Sequence, residues 1–193
     1  QTLTANQPAD PQRVQLRLGR AAVKVDDARL AAAAFNKVYY EYPLTVEATE
    51  AREELDRLAA ASPPAPPTPE RTKLDLARAE RLYNAGRHAD ARKSFDALRA
   101  FVGGDERQMV DLRLAQCDYH LKRYQPAPDA LREYVDNSKN RLQEAQFFLL
   151  NTLRQLGRKD EYVTLVRAFV DGNPGHQFAE AALNELGTFY ILE

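Results

Sequence analysis

Cysteine is scarce in this chain, net charge is nearly absent, and no long apolar run occurs. Cys117 is the single cysteine among 193 residues, so an intrachain disulfide is excluded and cysteine usage does not define a redox compartment. Its place in the helix-patterned run LRLAQCDYHL favours a small packed side chain over a reactive thiol. Lys plus Arg number 27 against 28 Asp plus Glu, a net charge of -1, which supplies no field for drawing the chain to nucleic acid or anionic lipid. No apolar run approaches the roughly 20 residues needed to span a bilayer. The opening QTLTANQPADP lacks the basic and apolar regions of a secretory leader, so a soluble segment is expected, with or without a leader once upstream.

Signatures of chemistry are equally sparse. His88, His120 and His176 each stand without a His or Cys three or four residues on, which argues against a zinc or iron site, and no cofactor is expected. No Gly-rich phosphate loop is present, and linear order supports no Ser, His and Asp arrangement. Acid pairs at Asp26 and Asp27, Glu53 and Glu54, Asp105 and Glu106, and Asp160 and Glu161 coincide with helix starts or solvated faces. There acids favour the helix dipole, so a structural reading is preferred to a hydrolytic pair. GRHADARK is basic at one turn but lacks interleaved aromatics, and it reads as solvated surface rather than a nucleic-acid site.

What is present is a repeat. Leu82 to Leu98 reads LYNAGRHADARKSFDAL, in which Gly86 ends one periodic run and Ala91, Phe95 and Leu98 follow at the spacing of one helix face. The cadence returns in LKRYQPAPDALREY from Leu121 and LGRKDEYVTLVRAF from Leu156; aligned on Gly86, Lys122 and Gly157, the steps are 36 and 35 residues. Periods of roughly 20 to 50 residues signal stacked supersecondary units. Strand alternation of any length is missing, so the expected class is all-α, an α-solenoid forming a right-handed superhelix of antiparallel helix pairs.

The expected organisation is an extended segment at 1–11, N-terminal helices at 12–61, a Pro-rich linker at 62–69 (SPPAPPTP) and a repeat array at 70–193. In the first helix Val14, Leu18, Ala21 and Ala22 share a face; in the second, Leu30, Ala31, Ala34, Phe35 and Val38, with Asp26 or Asp27 as N-cap and Pro43 as the stop. Val46 to Ala60 forms the third. The array pairs Glu70–Asn84 with His88–Val102, closed by a left-handed cap at Gly103 and Gly104, then Glu106–Leu121 with Pro128–Val135 and Arg141–Leu156 with Lys159–Val170. A final helix, Gln177–Ile191, has no partner.

These residues resemble the tetratricopeptide repeat (TPR). One copy sets Leu18 and Gly19 at the close helix contact, with Ala31, Phe35, Val38 and Pro43. The next has Ala79, Leu82, Gly86, Ala91, Phe95 and Leu98. A third has Ala115, Tyr124, Ala127, Leu131 and Tyr134, and a fourth Leu150, Leu153, Gly157, Val166, Phe169 and Pro174. Two departures stand out: Tyr162 replaces the expected Ala and should splay its pair, and Pro126 with Pro128 shortens another second helix. Residues 35–58 and 169–193 resemble the noncatalytic superhelical region of bacterial soluble lytic transglycosylases. The first of these segments also resembles envelope lipoproteins that handle outer-membrane protein assembly. The transglycosylase resemblance implies a periplasmic or cell-envelope location and no catalysis by this chain, since that family's Glu-Ser and Gly-Leu-Met-Gln segments are missing from it.

Repeats of this kind implement binding through a concave face formed by the first helix of each pair. By helical geometry that face should present Arg17, Arg20 and Lys24, then Glu80, Tyr83 and Asn84, then Arg113, Gln116, Tyr119 and His120, then Phe147, Asn151, Arg154 and Gln155. Asn84, His120 and Gln155 form one ladder of equivalent positions, and Glu80, Gln116 and Asn151 another. The ladders suit an extended peptide or a glycan strand, and plain solvated surface explains them as well. At the C-terminal end Leu186, Phe189, Tyr190 and Ile191 would form an apolar interaction patch. The expected partners are a protein, a peptide or peptidoglycan, with end-to-end self-association as a further mode. An outer-membrane assembly adaptor and a cell-wall hydrolase are the rival readings.

Overall fold

A computed structural model describes residues 10–60, 68–138 and 140–192, the side chain of Leu192 excepted. Among them lie ten helices and no strand: α1 (Pro11–Lys24), α2 (Ala28–Glu41), α3 (Val46–Ala60), α4 (Pro69–Asn84), α5 (His88–Leu98), α6 (Gly104–His120), α7 (Ala127–Asn137), α8 (Leu142–Gln155), α9 (Lys159–Gly172) and α10 (Gln177–Leu192). The chain is all-α. Consecutive helices pack in pairs, and successive first helices also touch, α1 on α3, α6 on α8 and α8 on α10. That is the stacking of TPR-like helix pairs in an α-solenoid, and it buries stripes that a lone pair would leave wet.

The turns explain where the helices stop. Gly86, Lys122 and Gly157, aligned above by sequence, all adopt positive φ, at 74°, 59° and 70°, and Asp26 does so at 56°. After three of these residues the next N–H donates to a carbonyl five positions back: Asp27 to Ala22 at 3.0 Å, Arg123 to Asp118 at 2.8 Å and Arg158 to Leu153 at 3.0 Å. This closes the last helical turn in a Schellman motif. A lysine holds the left-handed position in the middle copy, where a side chain costs about 1 to 2 kcal/mol. Asp27 caps α2 by accepting from the Leu30 N–H at 2.9 Å, and Thr68 caps α4, with Pro69 at its first position. Gly103 and Gly104 do not cap α5, which ends earlier at Leu98; Gly104, at φ 54°, is the first residue of α6.

The chain divides into two compact units, Gln1–Gly86 and Arg87–Glu193. Residues 61–67, most of the expected linker, lie outside the described residues, as do residues 1–9 of the extended segment. α4 belongs with the first unit through direct bonds. The Tyr40 hydroxyl donates to Asp75 at 2.9 Å, Arg81 donates to the Tyr40 carbonyl at 2.8 Å, and the Arg78 guanidinium lies 3.9 Å above the Tyr39 ring. Burial, with the Asp75 carboxylate beside it, pushes the Tyr40 hydroxyl well above its ordinary pKa.

The first unit's core is Leu16, Ala22, Ala31, Phe35, Val38 and Ala51. Gly19 is indispensable to it, because a Cβ there would sit 2.3 Å from Phe35 Cε1. The stripe that faces α2 is therefore Leu16, Gly19 and Ala22. Val14, Leu18 and Ala21 lie about a third of a turn round the helix and are exposed, contrary to the face expected from sequence.

The second unit's core is larger in its side chains: Leu112, Leu131, Leu149, Leu150, Leu153, Tyr162, Val166 and Phe169, with Ala179, Ala182 and Leu186 of α10. Tyr162 is inside this core, 1% exposed, with its ring 5.4 Å from that of Phe189. The α9 position that should hold Ala thus takes a full ring, which α10 packs against. α10 has neighbours on both α8 and α9 and is not unpartnered. Leu186 is buried and Phe189 half-buried, so of the expected terminal patch only Tyr190 and Ile191 are exposed. Cys117 is fully buried, as its helical run implied.

Candidate functional site

Within the second unit α6, α8 and α10 are successive first helices, and they carry a continuous series of aromatic contacts. His120 lies 5.6 Å from Phe148, Tyr119 lies 5.4 Å from Phe148, Phe147 lies 6.1 Å from Phe148, and Phe147 stacks on Phe178 at 5.3 Å. His176 extends the series by stacking on Phe178 at 5.6 Å, and its Nδ1 accepts from the Phe178 N–H at 3.2 Å, which caps α10. Tyr119, Phe147, Phe148 and Phe178 are half-buried and His120 is exposed. Such rings offer faces and edges to a ligand while their bodies rest on the core.

Polar members of the expected face have a different placement. Arg113 and Gln116 are buried and join α6 to α8: Arg113 Nη1 donates to Gln116 Oε1 at 2.7 Å and to Glu144 Oε1 at 3.0 Å, and Gln116 Nε2 donates to the same Glu144 oxygen at 2.9 Å. Asn151 is also buried; it donates to the Phe147 carbonyl and accepts from Arg154, whose guanidinium is 3.4 Å from Glu185 of α10. Arg113 and Gln116 are thus interhelical ties to Glu144, and Asn151 holds Arg154, which reaches Glu185 on the next first helix. Gln155 remains exposed at the end of α8. Burial raises the Glu185 carboxyl above its ordinary pKa, and Arg154 opposes the shift. Burial likewise raises the hydroxyls of Tyr119 and Tyr162. The Tyr162 hydroxyl has no hydrogen-bond partner among the described residues.

In the first unit Arg17, Arg20 and Lys24 are exposed on α1, and Arg20 is taken up by Glu50 at 2.8 Å and Glu54 at 3.2 Å on α3. Glu80 and Tyr83 are half-buried on α4, and Asn84 is exposed at its end.

Sequence spacing missed one pairing. His88 and His120 stack at 4.1 Å with their planes 8° apart. They stand on α5 and α6 and are equidistant from Gly104, so hairpin symmetry rather than spacing along one helix was the signal. Burial lowers the pKa of both, and His88 beside it lowers that of His120 further. A concavity of about 460 Å³ was also unforeseen. It lies between α5, α6 and α7, with Arg92, Asp96, Asp118, Glu133 and Tyr134 among its lining, and Arg92 is held in it by Asp118 at 2.7 Å.

The paired acids behave as structure. Asp27 is a cap, Asp105 with Glu106 and Asp160 with Glu161 lie in first helical turns, and Glu54 binds Arg20 and Arg57. Among the described residues no group of three or more His, Cys, Asp or Glu is placed to hold a metal ion, and no helix is long and apolar enough to cross a membrane. The arrangement is suited to noncovalent recognition.

No family model and no curated protein matches the chain. Among solved structures, the kinesin light chain nearly identical TPR-like repeats of Podosopora anserina are similar at 17% identity and a TM-score of 0.45, over 86% of this chain and 98% of that one. A single-substitution variant of that protein gives 17% and 0.44, over 84% and 95%.

Proposed function

We propose that the chain is a noncatalytic scaffold that binds an extended segment of a partner protein along α6, α8 and α10. The observation that carries this reading is the run of rings from the exposed His120 through the half-buried Phe148 and Phe147 to Phe178. Aromatic side chains lose little conformational freedom on binding and present both apolar faces and polar edges, so they suit an extended chain with few charges. Array-wide screening of extended peptides, followed by titration of the best binder, tests it. His120→Ala and Phe147→Ala should each weaken that binding, and the helical signal should be unchanged; affinity indifferent to both substitutions would refute the assignment.

The finer reading places this scaffold in a bacterial cell envelope, as the superhelical part of a lytic-transglycosylase-like protein. Its support is the resemblance of residues 35–58 and 169–193. The same rings could stack on sugar faces, so calorimetric titration with muropeptides separates a glycan ligand from a peptide. Binding of muropeptides that Phe147→Ala abolishes would favour peptidoglycan over protein.

A further inference from the structure

Among the described residues α1 and α10 each leave an apolar face open, and the charges the two helices carry are opposite. The outer face of α1 carries Val14, Leu18, Ala21 and, at the helix end, Val25, at steps of four, three and four, the seam spacing of one helix packing on another. Val14, Leu18 and Val25 are 47%, 40% and 73% exposed. α1 contains Arg13, Arg17, Arg20 and Lys24 and no acid. Arg13 and Arg20 are bound by glutamates of α3, which leaves Arg17 and Lys24 without an ion pair among the described residues.

α10 has the reverse composition, with Glu180 and Glu185 and no Lys or Arg. Its outer face presents Leu183, Gly187, Tyr190 and Ile191, and Leu183, Tyr190 and Ile191 are 53%, 54% and 84% exposed. A glycine within a helix weakens it relative to alanine, yet a Cβ at Gly187 would meet nothing within 4 Å. No contact inside the chain requires this glycine, unlike Gly19, which Phe35 overlies. It lowers the helix surface in the middle of an apolar face, where a second helix could approach closely.

Like charges disfavour α1 against another α1; on α10 Glu185 is held by Arg154 and Arg167 of α9 donates to the Tyr190 hydroxyl at 3.4 Å, so Glu180 is the exposed acid that a cation of α1 can meet. We infer that α10 of one copy receives α1 of a second copy running antiparallel to it, with Leu18 seated near Gly187 and Lys24 toward Glu180. The contact joins two different faces, so each dimer keeps one of each open and growth does not stop at two unless a ring closes.

Sedimentation velocity from micromolar to near-millimolar concentration tests the assembly. The weight-average coefficient of the native chain should rise with concentration. Leu18→Glu and Leu183→Glu, both at exposed positions, should each leave a monomer of unchanged helicity. Mixing these two variants should restore a dimer and nothing larger, since one retains the α10 face and the other the α1 face. Gly187→Ala should raise Tm and weaken association. A native chain that sediments independently of concentration overturns the inference; so does association that survives either glutamate, a mixture that stays monomeric, or association unweakened by Gly187→Ala.

Discussion

Where α1, α2 and α3 meet in the first unit, Gly19, Ala22, Ala31 and Ala51 surround the ring of Phe35, with Leu16 and Val38 beside it, and the ion pairs between α1 and α3 lie at the surface. In the second, bulky side chains fill the interior, and Arg113, Gln116, Asn151 and Thr152 are buried among them. Small residues let helices approach closely and leave one large side chain to fill the gap, so failure there is steric. Buried polar ties depend on their partners, and failure there is a loss of partners for desolvated groups.

The sharpest way to break this contrast is Phe35→Ala, expected to cost about 3 to 5 kcal/mol in denaturant unfolding because a fully buried ring is removed from a core of small residues. Gly19→Ala should cost about 1 to 3 kcal/mol alone. In the Phe35→Ala background its cost should largely vanish, since the ring it strikes is gone; additive effects would disprove the steric account. In the second unit Arg113→Ala should cost roughly 2 to 3 kcal/mol, because Glu144 and Gln116 lose a charged donor, although Arg141 also lies 3.7 Å from Glu144. Lys122→Gly should stabilise by about 1 kcal/mol by relieving the left-handed side chain, read as a rise in Tm.

The smallest effects concern protons and one hydroxyl. His88 and His120 have lowered pKa in the fold, so at mildly acid pH the unfolded chain binds protons that the folded chain does not. Their contribution is intact above the ordinary imidazole pKa and declines as pH falls below it. Glu185 works in the other direction: with its pKa raised, its contribution is present at acid pH and is lost as pH rises through the folded value. A pH series of denaturant midpoints should show the acid-side loss reduced in His120→Gln. Tyr162→Phe should change stability by under about 1 kcal/mol, toward greater stability, since it removes an unpartnered buried hydroxyl.

The repeat was legible in the sequence because Gly86, Lys122 and Gly157 mark turns and Ala91, Phe95, Leu131, Val166 and Phe169 mark buried stripes; all of these occupy the expected places. α1 was misjudged because it has two apolar stripes, and periodicity does not say which one meets α2. Helical spacing expects Tyr119, Phe147, Arg113, Gln116 and Asn151 alike as lining; the two rings are half-buried, whereas the three polar residues are buried. Their polarity suggested solvent, but their partners, Glu144 and Glu185, lie on other helices and no local pattern announces them. The His88 and His120 stack escaped for the same reason.

α8 is gripped twice and from opposite sides. Glu144, in its first turn, is held by Arg113 of α6, and Arg154, in its last turn, holds Glu185 of α10. If the second unit were pulled between α6 and α10, the load would enter α8 at one end and leave at the other. The helix would then act as a strut, carrying force along its own hydrogen-bonded axis instead of shearing sideways across the core.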